Sequence, residues 1–340
     1  MPIGGPFKKM RITTQQKKNL RRIAKAIGVV LLFIVLIAII AGLIPVSTDG
    51  LGANPNPSSN YDEAMGRFQT VLDTEAPIVN EASGSLLMTH GEPTEQVYIM
   101  IHGITNSPHQ WQELGEMLYD QGANVLIMRM PYHGLKSHNV GELGALSAVN
   151  LRDYGDQVVD IAAGLGDEIT VIGLSGGATV TSWIGQNRPE VAMVIPISPY
   201  MGVPELPAFM DTFIMNLGHN MPNFVLDEPG ELRRPWVYRG ETTRAPAEFM
   251  ILGRSVLNDA TEKGAAVETA YFLTTAVDNI ADNTYTERLV ALWKARETSV
   301  SYFQFDASQN IPHNSIDPTT DVAIRTLVYD KLFEIIGTKE

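Results

Sequence analysis

Residues 169–177 read Ile-Thr-Val-Ile-Gly-Leu-Ser-Gly-Gly, and this stretch decides the fold that the sequence predicts. Its first half, Ile169–Ile172, has the length and β-branched composition of a buried strand, and a helix-like run, Gly176–Asn187, follows. The residues around Ser175 are small, so the chain can turn sharply and lift the serine hydroxyl above the sheet. The glycines concerned are Gly173, Gly176 and Gly177. The pattern predicts that Ser175 is a nucleophile; the simpler alternative is a tight turn without catalysis.

Apolar runs of similar length recur on both sides of this stretch. They are rich in Val, Ile and Leu and lie at Val97–Ile101, Asn124–Met128, Val194–Ile197, Tyr271–Thr275 and Ser299–Phe305. Helix-like segments separate most of them and lie at His109–Gln121, Leu151–Leu165, Thr284–Glu297 and Asp321–Ile336. Strands that alternate with helices predict an α/β fold with a mostly parallel, doubly wound sheet, whose functional loops lie at the carboxyl ends of the strands.

One segment interrupts this alternation. Residues 201–263 are rich in Pro, Met, Phe and Trp and have no regular strand-helix period. We therefore predict an inserted cap over about 201–263, within a body that extends over 61–340.

A serine becomes a good nucleophile only when a base removes its proton and an acid orients that base. In proteins with this kind of turn the three residues follow the chain order Ser, then Asp or Glu, then His. Only His219 and His313 come after Ser175, and His219 falls within the irregular insert. His313 lies in a loop after the last apolar strand, so it is the predicted base, against the alternative of an exposed loop histidine.

The acid is expected at the end of the preceding strand. Asp278 ends the apolar run that starts at Phe272, and we predict it to be the acid. Asp282 is the rival, although its position before Thr284 is typical of a helix cap. Asp278 as an ordinary turn residue is the remaining alternative.

A tetrahedral intermediate on Ser175 also needs two hydrogen-bond donors for its oxyanion. The backbone amide of Gly176, directly after the nucleophile, is the first candidate. The second is the amide of Ile104, in the loop after the first recognisable strand, where Gly103 lets the chain fold back. His102 is expected to hold this loop in place.

Composition and spacing exclude several other kinds of site. The chain has no cysteine, so thiolate nucleophiles, disulfides, Cys-ligated zinc and iron–sulfur clusters are ruled out. The histidines considered as metal ligands are His102, His133 and His138. The sequence has no His-x-His or His-Glu-x-x-His spacing, which argues against metal ligation by these histidines. We predict neither a metal nor another cofactor.

The N-terminal part has the charge pattern of a membrane anchor. Residues 1–25 contain eight basic side chains and no acid, and the run Ala26–Ile44 contains 19 uncharged, mostly apolar residues. As a helix this run spans roughly 28 Å, close to the thickness of a bilayer core. By the positive-inside rule, an anchor over residues 26–45 places the N-terminus in the cytoplasm and the catalytic domain outside it. A cleaved signal peptide is the alternative, but Pro45 and Val46 replace its usual small-residue site.

Residues 46–60 are rich in Gly, Pro, Ser and Asn and predict a flexible linker. Beyond the basic arm the chain keeps 17 of its 25 Lys and Arg against all 38 Asp and Glu. Nucleic-acid binding needs clustered basic residues, so such an acidic body argues against it.

Taken together, the motifs resemble those of the α/β-hydrolase superfamily, and more narrowly its bacterial lipases and carboxylesterases related to monoacylglycerol lipases. The resemblance covers about residues 61–336. Five segments are similar to that group's motifs: His102-Gly103-Ile-Thr-Asn106, Arg129-Met-Pro-Tyr-His133-Gly134, Gly173–Gly177, Asp278-Asn-Ile-Ala-Asp-Asn283 and Pro312-His313-Asn314. The resemblance implies a triad of Ser175, Asp278 and His313, with Ile104 and Gly176 as oxyanion donors.

Two positions depart from the group's pattern. Ala281 stands where the group has Val after the acid, which keeps Asp282 open as a candidate. Asn314 stands where the group has Asp after the base, which bears on how the histidine loop is held.

The leading hypothesis is a membrane-anchored serine hydrolase that cleaves carboxylic esters, with lipid-like acyl chains favoured by the anchor and by the Met- and Phe-rich cap. The same residues are also compatible with a peptidase or amidase and with acyl transfer to another alcohol. A non-catalytic binding protein on the same fold is the alternative from a different class.

Overall fold

The computed structural model describes residues 14–227 and 234–337; the beginning of the predicted basic arm, residues 1–13, lies outside them. The α-helices are α1 Thr14–Leu43, α2 Tyr61–Glu75, α3 Gln112–Asp120, α4 Ala148–Ala162, α5 Gly176–Asn187, α6 Ala208–Asn220, α7 Arg244–Glu262, α8 Asn283–Lys294 and α9 Val322–Ile336. The strands are β1 Leu86–Met88, β2 Thr94–Ile101, β3 Asn124–Ile127, β4 Gly166–Leu174, β5 Met193–Ile197, β6 Val225–Asp227, β7 Gly240–Thr242, β8 Thr269–Thr275 and β9 Ser299–Phe305.

Seven strands form the central sheet, in the order β1-β3-β2-β4-β5-β8-β9. All neighbours are parallel except β1, which pairs antiparallel with β3 at one edge. The mostly parallel α/β fold predicted from the sequence is confirmed. The carboxyl ends of β2, β4, β8 and β9 lie on one side of the sheet, where ligands bind in open α/β folds.

The two faces of the sheet are buried against different helices. Along β2, Val97, Ile99 and Ile101 join a core formed with α4, α5, α7 and α8. The alternate residues Tyr98 and Met100 join a second core with α3 and α9. This alternation follows from the two-residue period of a strand and covers both faces, so the strand ends are held rigidly.

The insert between β5 and β8 is shorter than predicted. It contains α6 and the hairpin β6–β7, but α7 packs against α5 and α4 and forms part of the wall of the body. Most of its residues are buried. The predicted cap boundary at residue 263 is therefore wrong, because the apolar period of α7 serves the main core; the cap covers about residues 201–243.

Helix α1 contains residues 26–43 of the predicted anchor, ends two residues before the predicted boundary at 45, and starts earlier, at Thr14. It is long and apolar enough to cross a membrane, with a mean hydropathy of 3.2 over its most apolar window. No helix breaker separates Lys17 from the apolar run, so the last basic residues of the arm are helical as well.

Residues 46–60 do not form the free tether that their composition predicts. The backbone amides of Asn54 and Asn56 donate to the carboxylates of Asp156 (2.8 Å) and Asp160 (3.1 Å) on α4. Both carboxylates are also held by Arg188, a fully buried side chain. Leu51 is buried, and its carbonyl accepts a hydrogen bond from the indole of Trp183 (2.6 Å). The segment therefore lies fixed along the body, because its polar backbone groups find partners there.

The end of α1 is also attached to the cap. Asn220 Nδ2 donates to the carbonyls of Ala41 and Ile44 (both 3.1 Å), and Asn216 Nδ2 donates to that of Gly42 (3.1 Å). The last carbonyls of a helix have no partner within it, so these two side chains, one turn apart on α6, complete the end of α1. Gly42 lies against the ring of Phe213, leaving no room for a Cβ, which would be 2.3 Å from the ring.

Replacing Gly42 with valine is expected to separate the end of α1 from α6, because overpacking of this kind costs about 1–3 kcal/mol. Gly28→Val is the matched control in the same helix, since a Cβ at Gly28 has no atom within 4 Å. Amide hydrogen exchange of the detergent-solubilised full chain should show faster exchange of α6 only in the Gly42 variant. Equal exchange of α6 in both variants would contradict the described contact.

Candidate active site

Ser175 lies in the sharp turn between β4 and α5. Its backbone angles are φ 59° and ψ −118°, a strained region for a residue with a side chain. The strain is held by two backbone hydrogen bonds, from Ser175 N to Ile197 O (2.9 Å) and from Tyr200 N to Ser175 O (3.1 Å). The turn thus has the conformation of a nucleophile elbow.

The glycines of the motif are required because neighbouring backbone or side-chain atoms approach them closely. A Cβ on Gly177 would lie 2.1 Å from the carbonyl oxygen of Ile101, and one on Gly173 would lie 2.5 Å from that of Gly177. A Cβ on Gly176 would lie 2.5 Å from the Ile104 side chain. The small residues let α5 start directly against β2.

The predicted acid and base are in direct contact. His313 Nδ1 lies 2.8 Å from Asp278 Oδ2 and 3.0 Å from Oδ1. Asp278 follows β8 and His313 follows β9, its neighbour in the sheet. The other ring nitrogen, His313 Nε2, is buried and has no hydrogen-bond partner within residues 14–227 and 234–337, so the Ser175 hydroxyl is not bonded to it. Catalytic hydrogen bonds are often long before substrate binds, so this geometry is compatible with a triad.

Asp278 is arranged to stay ionised. Burial opposes its charge, but the hydrogen bond from His313 and the backbone amides of Ala281 and Ile280 (both 2.9 Å) outweigh it, so the pKa of the carboxyl lies below its usual value. Residue 281 contacts Asp278 through its backbone amide. The presence of Ala281, where the related group has Val, therefore leaves this hydrogen bond intact. An ionised Asp278 fixes the His313 ring with Nδ1 as the donor.

Asp282, the rival acid, has a different task. Its Oδ1 accepts a hydrogen bond from Thr284 N (2.9 Å) and caps the N-terminus of α8. Asn314, the second departure from the family pattern, is exposed and contributes its carbonyl, which accepts from Thr320 Oγ1 (2.7 Å).

The loop after β2 brings Ile104 next to the elbow. The amides of Ile104 and Gly176 donate no hydrogen bond to any residue that the structure describes. Gly103 lies beside Ser175, and a Cβ there would meet the Ser175 Cβ at 3.7 Å, an ordinary contact. The expectation that Gly103 is needed for a tight fold-back is therefore wrong, since neither its φ nor a backbone clash requires glycine.

Two buried histidines, His102 and His133, form hydrogen bonds to the backbone at the loop after β2. His102 Nδ1 donates to its neighbour's carbonyl, Gly103 O (2.9 Å), and its Nε2 accepts from Met130 N (3.0 Å). His133 Nε2 lies 2.6 Å from Ile104 O. Burial, together with the nearby His133, keeps the pKa of His102 well below 6.5, and burial lowers the pKa of His133 to about 4. A structural role for His102, in holding this loop, stays a prediction.

Stability is expected to fall as the pH drops from 6.5 towards 4. Both histidines stay neutral when folded but bind a proton when unfolded, so the unfolded state gains protons over this range, at roughly 1.4 kcal/mol per pH unit for each histidine. Denaturant unfolding at several pH values should show this slope. His133→Gln should flatten it, whereas His90→Gln, at an exposed position, should not. An unchanged slope in His133→Gln would contradict this account.

The sequence analysis missed the contacts that join the site loops. Asn106 Nδ2 donates to Asp317 Oδ2 (2.7 Å), which ties the loop of Ile104 to the loop of His313. Tyr238 N in the cap donates to Thr105 O (2.8 Å). Asn106 lies within a quoted motif and Asp317 three residues after another, but nothing in their spacing indicates that they meet.

The remaining candidate base lies elsewhere. His219 Nδ1 contacts the buried Glu248 Oε1 (2.7 Å), which joins α6 in the cap to α7 in the body. Within the described ranges 14–227 and 234–337, no group of three or more His, Asp or Glu is arranged to hold a metal ion.

Comparison with known proteins agrees with this geometry. The family described as alpha/beta hydrolase fold matches residues 97–239. The thermostable monoacylglycerol lipase of Bacillus sp. (strain H-257) is 24% identical over 159 residues, covering 45% of this chain and 58% of that protein. The chain thus matches a little over half the length of this curated relative.

Solved structures match over more of the chain. A structure from the work on LipS and LipT, two metagenome-derived lipolytic enzymes, superposes with a TM-score of 0.55 at 19% identity, covering 76% of this chain and 99% of that one. The monoacylglycerol lipase of Paleococcus ferrophilus gives 0.55 at 17% identity, covering 74% and 98%. At these identities the likeness establishes the fold.

The fold, the elbow and the family match show that this chain has the α/β-hydrolase fold. Among proteins with this fold, it is similar in sequence to a monoacylglycerol lipase. The resemblance inferred from the motifs is confirmed at this level.

Proposed function

We propose that the protein is a serine hydrolase that cleaves carboxylic esters through an acyl-enzyme. One observation carries the proposal: Asp278 binds His313 Nδ1 at 2.8 Å, and the opposite nitrogen of the ring is buried with no hydrogen-bond partner in the described part of the chain, while Ser175 occupies a strained turn at the end of β4. A neutral imidazole held in this way has its free Nε2 lone pair available for a serine proton.

The reaction then follows from the positions of the groups. His313 Nε2 removes the proton of Ser175 Oγ as that oxygen attacks the ester carbonyl, and Asp278 stabilises the resulting imidazolium. The oxyanion accepts hydrogen bonds from the free amides of Ile104 and Gly176. The imidazolium returns its proton to the leaving alcohol, and water activated by His313 then hydrolyses the acyl-enzyme.

We further propose that α1 anchors the enzyme in a membrane through residues 26–45. The apolar side chains of this helix are exposed over its length, for example Leu32 (69%) and Phe33 (63%), and the basic residues precede them. The positive-inside rule places the N-terminus in the cytoplasm and the hydrolase domain on the opposite side. Such a position, with an apolar cap, favours esters with lipid-like acyl chains.

Labelling with a fluorophosphonate, followed by peptide mass spectrometry, tests the nucleophile. The full chain in detergent should carry the label on Ser175 and should hydrolyse p-nitrophenyl esters, with a preference for one acyl length between acetyl and palmitoyl. A folded sample that neither reacts with the probe nor turns over any ester would refute the proposed hydrolase and favour a binding protein. Activity restricted to amides would move the assignment to a peptidase or amidase.

A further inference from the structure

A cavity of about 570 Å³ lies where α1 leaves its apolar run, between the end of α1, α6 and α7. It is remote in sequence from the triad loops, and none of the proposed catalytic residues lines it. One part of its wall is apolar and the other is polar. The apolar part includes Leu43, Phe209 and Phe213, and the polar part includes Thr212, Arg254 and Asn258.

The position of the cavity along α1 corresponds to the surface of a bilayer. The apolar run ends at Ile44, and the first charged residue after it is Asp49. About 20 helical residues span the hydrocarbon core, so the residues from Gly42 onward lie at the level of the headgroups if residues 26–45 cross the membrane. The hydrogen bonds of Asn216 and Asn220 to the last carbonyls of α1 fix α6 at this same level.

Arg254 brings a positive charge to the cavity. Its Nη2 donates to Thr212 Oγ1 (2.8 Å), and it makes no ion pair with any residue in the described part of the chain. Asp211, next to Thr212, is buried and has its carboxylate bound by Val203 N (3.0 Å) and the Tyr285 hydroxyl (2.8 Å). A guanidinium with open donor positions is a good partner for a phosphate, which it binds in bidentate fashion.

The apolar wall continues along the membrane helix. Phe209 is 71% exposed and Leu43 is 67% exposed, so an apolar surface leads from the cavity onto α1. A ligand that has an anionic group at one end and hydrocarbon chains at the other matches both parts of the wall. Free phosphate would use only Arg254 and its polar neighbours, and an uncharged lipid would use only the apolar part.

We propose that this cavity binds the phosphodiester headgroup of a membrane phospholipid, with Arg254 on the phosphate and the acyl chains along α1 beside Phe209. The proposal rests on the membrane insertion of α1 and is independent of the ester hydrolysis. A lipid in this position contacts the anchor, the cap and α7 at once. It stabilises the cap at the height at which α1 leaves the bilayer.

Native mass spectrometry of the full chain in detergent tests the site with an ether-linked dioctyl phosphatidylglycerol, which the enzyme cannot hydrolyse. The probe should bind the wild-type chain and bind Arg254→Gln roughly tenfold more weakly, because a charge-assisted hydrogen bond is lost. Arg288→Gln removes an exposed cation on α8 and should bind like the wild type. Asn258→Ala, at the polar side of the cavity, provides a second variant and should weaken binding less.

Each outcome has a separate meaning. Equal binding to the wild type and to folded Arg254→Gln and Asn258→Ala would overturn the site. Binding of dioctylglycerol as tight as that of the phospholipid would exclude the phosphate contact. Inorganic phosphate that binds as tightly as the phospholipid would exclude a lipid.

Vesicle flotation tests the anchor separately. Both Arg254→Gln and the wild type should float with the vesicles, and failure of the wild type to float would refute membrane insertion. Turnover of p-nitrophenyl butyrate reports on the proposed hydrolase alone.

Discussion

Replacing Ser175 with alanine is expected to lower kcat for ester hydrolysis by roughly 10⁴-fold or more. The loss is large because the acyl-enzyme cannot form without Oγ, and without an acyl-enzyme the base and acid have no intermediate to form or hydrolyse. The remaining rate comes from the oxyanion amides of Ile104 and Gly176 and from substrate binding. The measurement is the rate of p-nitrophenyl butyrate hydrolysis by the full chain in detergent.

Ser182→Ala is the matched control for this substitution. Ser182 lies in α5, the helix that begins directly after Ser175, is buried, and donates its hydroxyl proton to Ala178 O (2.8 Å). Its replacement removes one buried hydrogen bond, worth about 1 kcal/mol, and should leave kcat within about twofold of the wild type. Thermal unfolding of both variants shows whether a change in rate comes from loss of folding. A Ser175→Ala protein that is folded and retains most of its activity would remove Ser175 from the mechanism.

The central sheet could be predicted because its strands carry their signal locally. Short apolar runs identified β2, β3, β4, β5, β8 and β9. The interior strands are buried on both faces and are mostly apolar, whereas the edge strand β9 is exposed or half-buried over most of its length. The two missed elements at the N-terminal side had weaker local signals. Helix α2 is amphipathic with a polar majority, and β1 is a three-residue edge strand.

The packing of residues 46–60 could not be predicted because its partners are distant in the chain. The Gly- and Pro-rich composition correctly indicates the absence of helix and strand, but the carboxylates that bind it lie about a hundred positions away. Those carboxylates are held in turn by Arg188. Composition describes the local preference of a segment and contains no information on a complementary surface elsewhere.

The candidate site could also be predicted only in part from the sequence. Chain order and strand ends were sufficient to select Asp278 and His313, which the structure brings into contact. The tie between Asn106 and Asp317 joins positions 211 residues apart, and neither residue has a local pattern that indicates it. The chemistry of a triad restricts the residue types and their order, whereas the contacts that support its loops depend on the tertiary fold alone.

Asp278→Asn is expected to lower kcat/KM by about 10³- to 10⁴-fold while Asp282→Asn changes it by less than about twofold. An asparagine at 278 can present an N–H to His313 Nδ1, which favours the tautomer with the proton on Nε2 and leaves no acceptor for Ser175. It also removes the charge that stabilises the imidazolium. At 282 the same substitution preserves the cap of α8, because asparagine accepts from Thr284 N as well as aspartate does.

The pair of variants separates catalysis from stability because both remove one carboxylate from the same loop. Measurement of kcat/KM and of the thermal unfolding midpoint for both proteins tests the assignment. A loss of activity in Asp282→Asn equal to that in Asp278→Asn would show that the loop conformation, and not the contact with His313, controls the rate. A loss confined to Asp278→Asn at an unchanged unfolding midpoint is the expected result, since only that carboxylate fixes the imidazole at 2.8 Å.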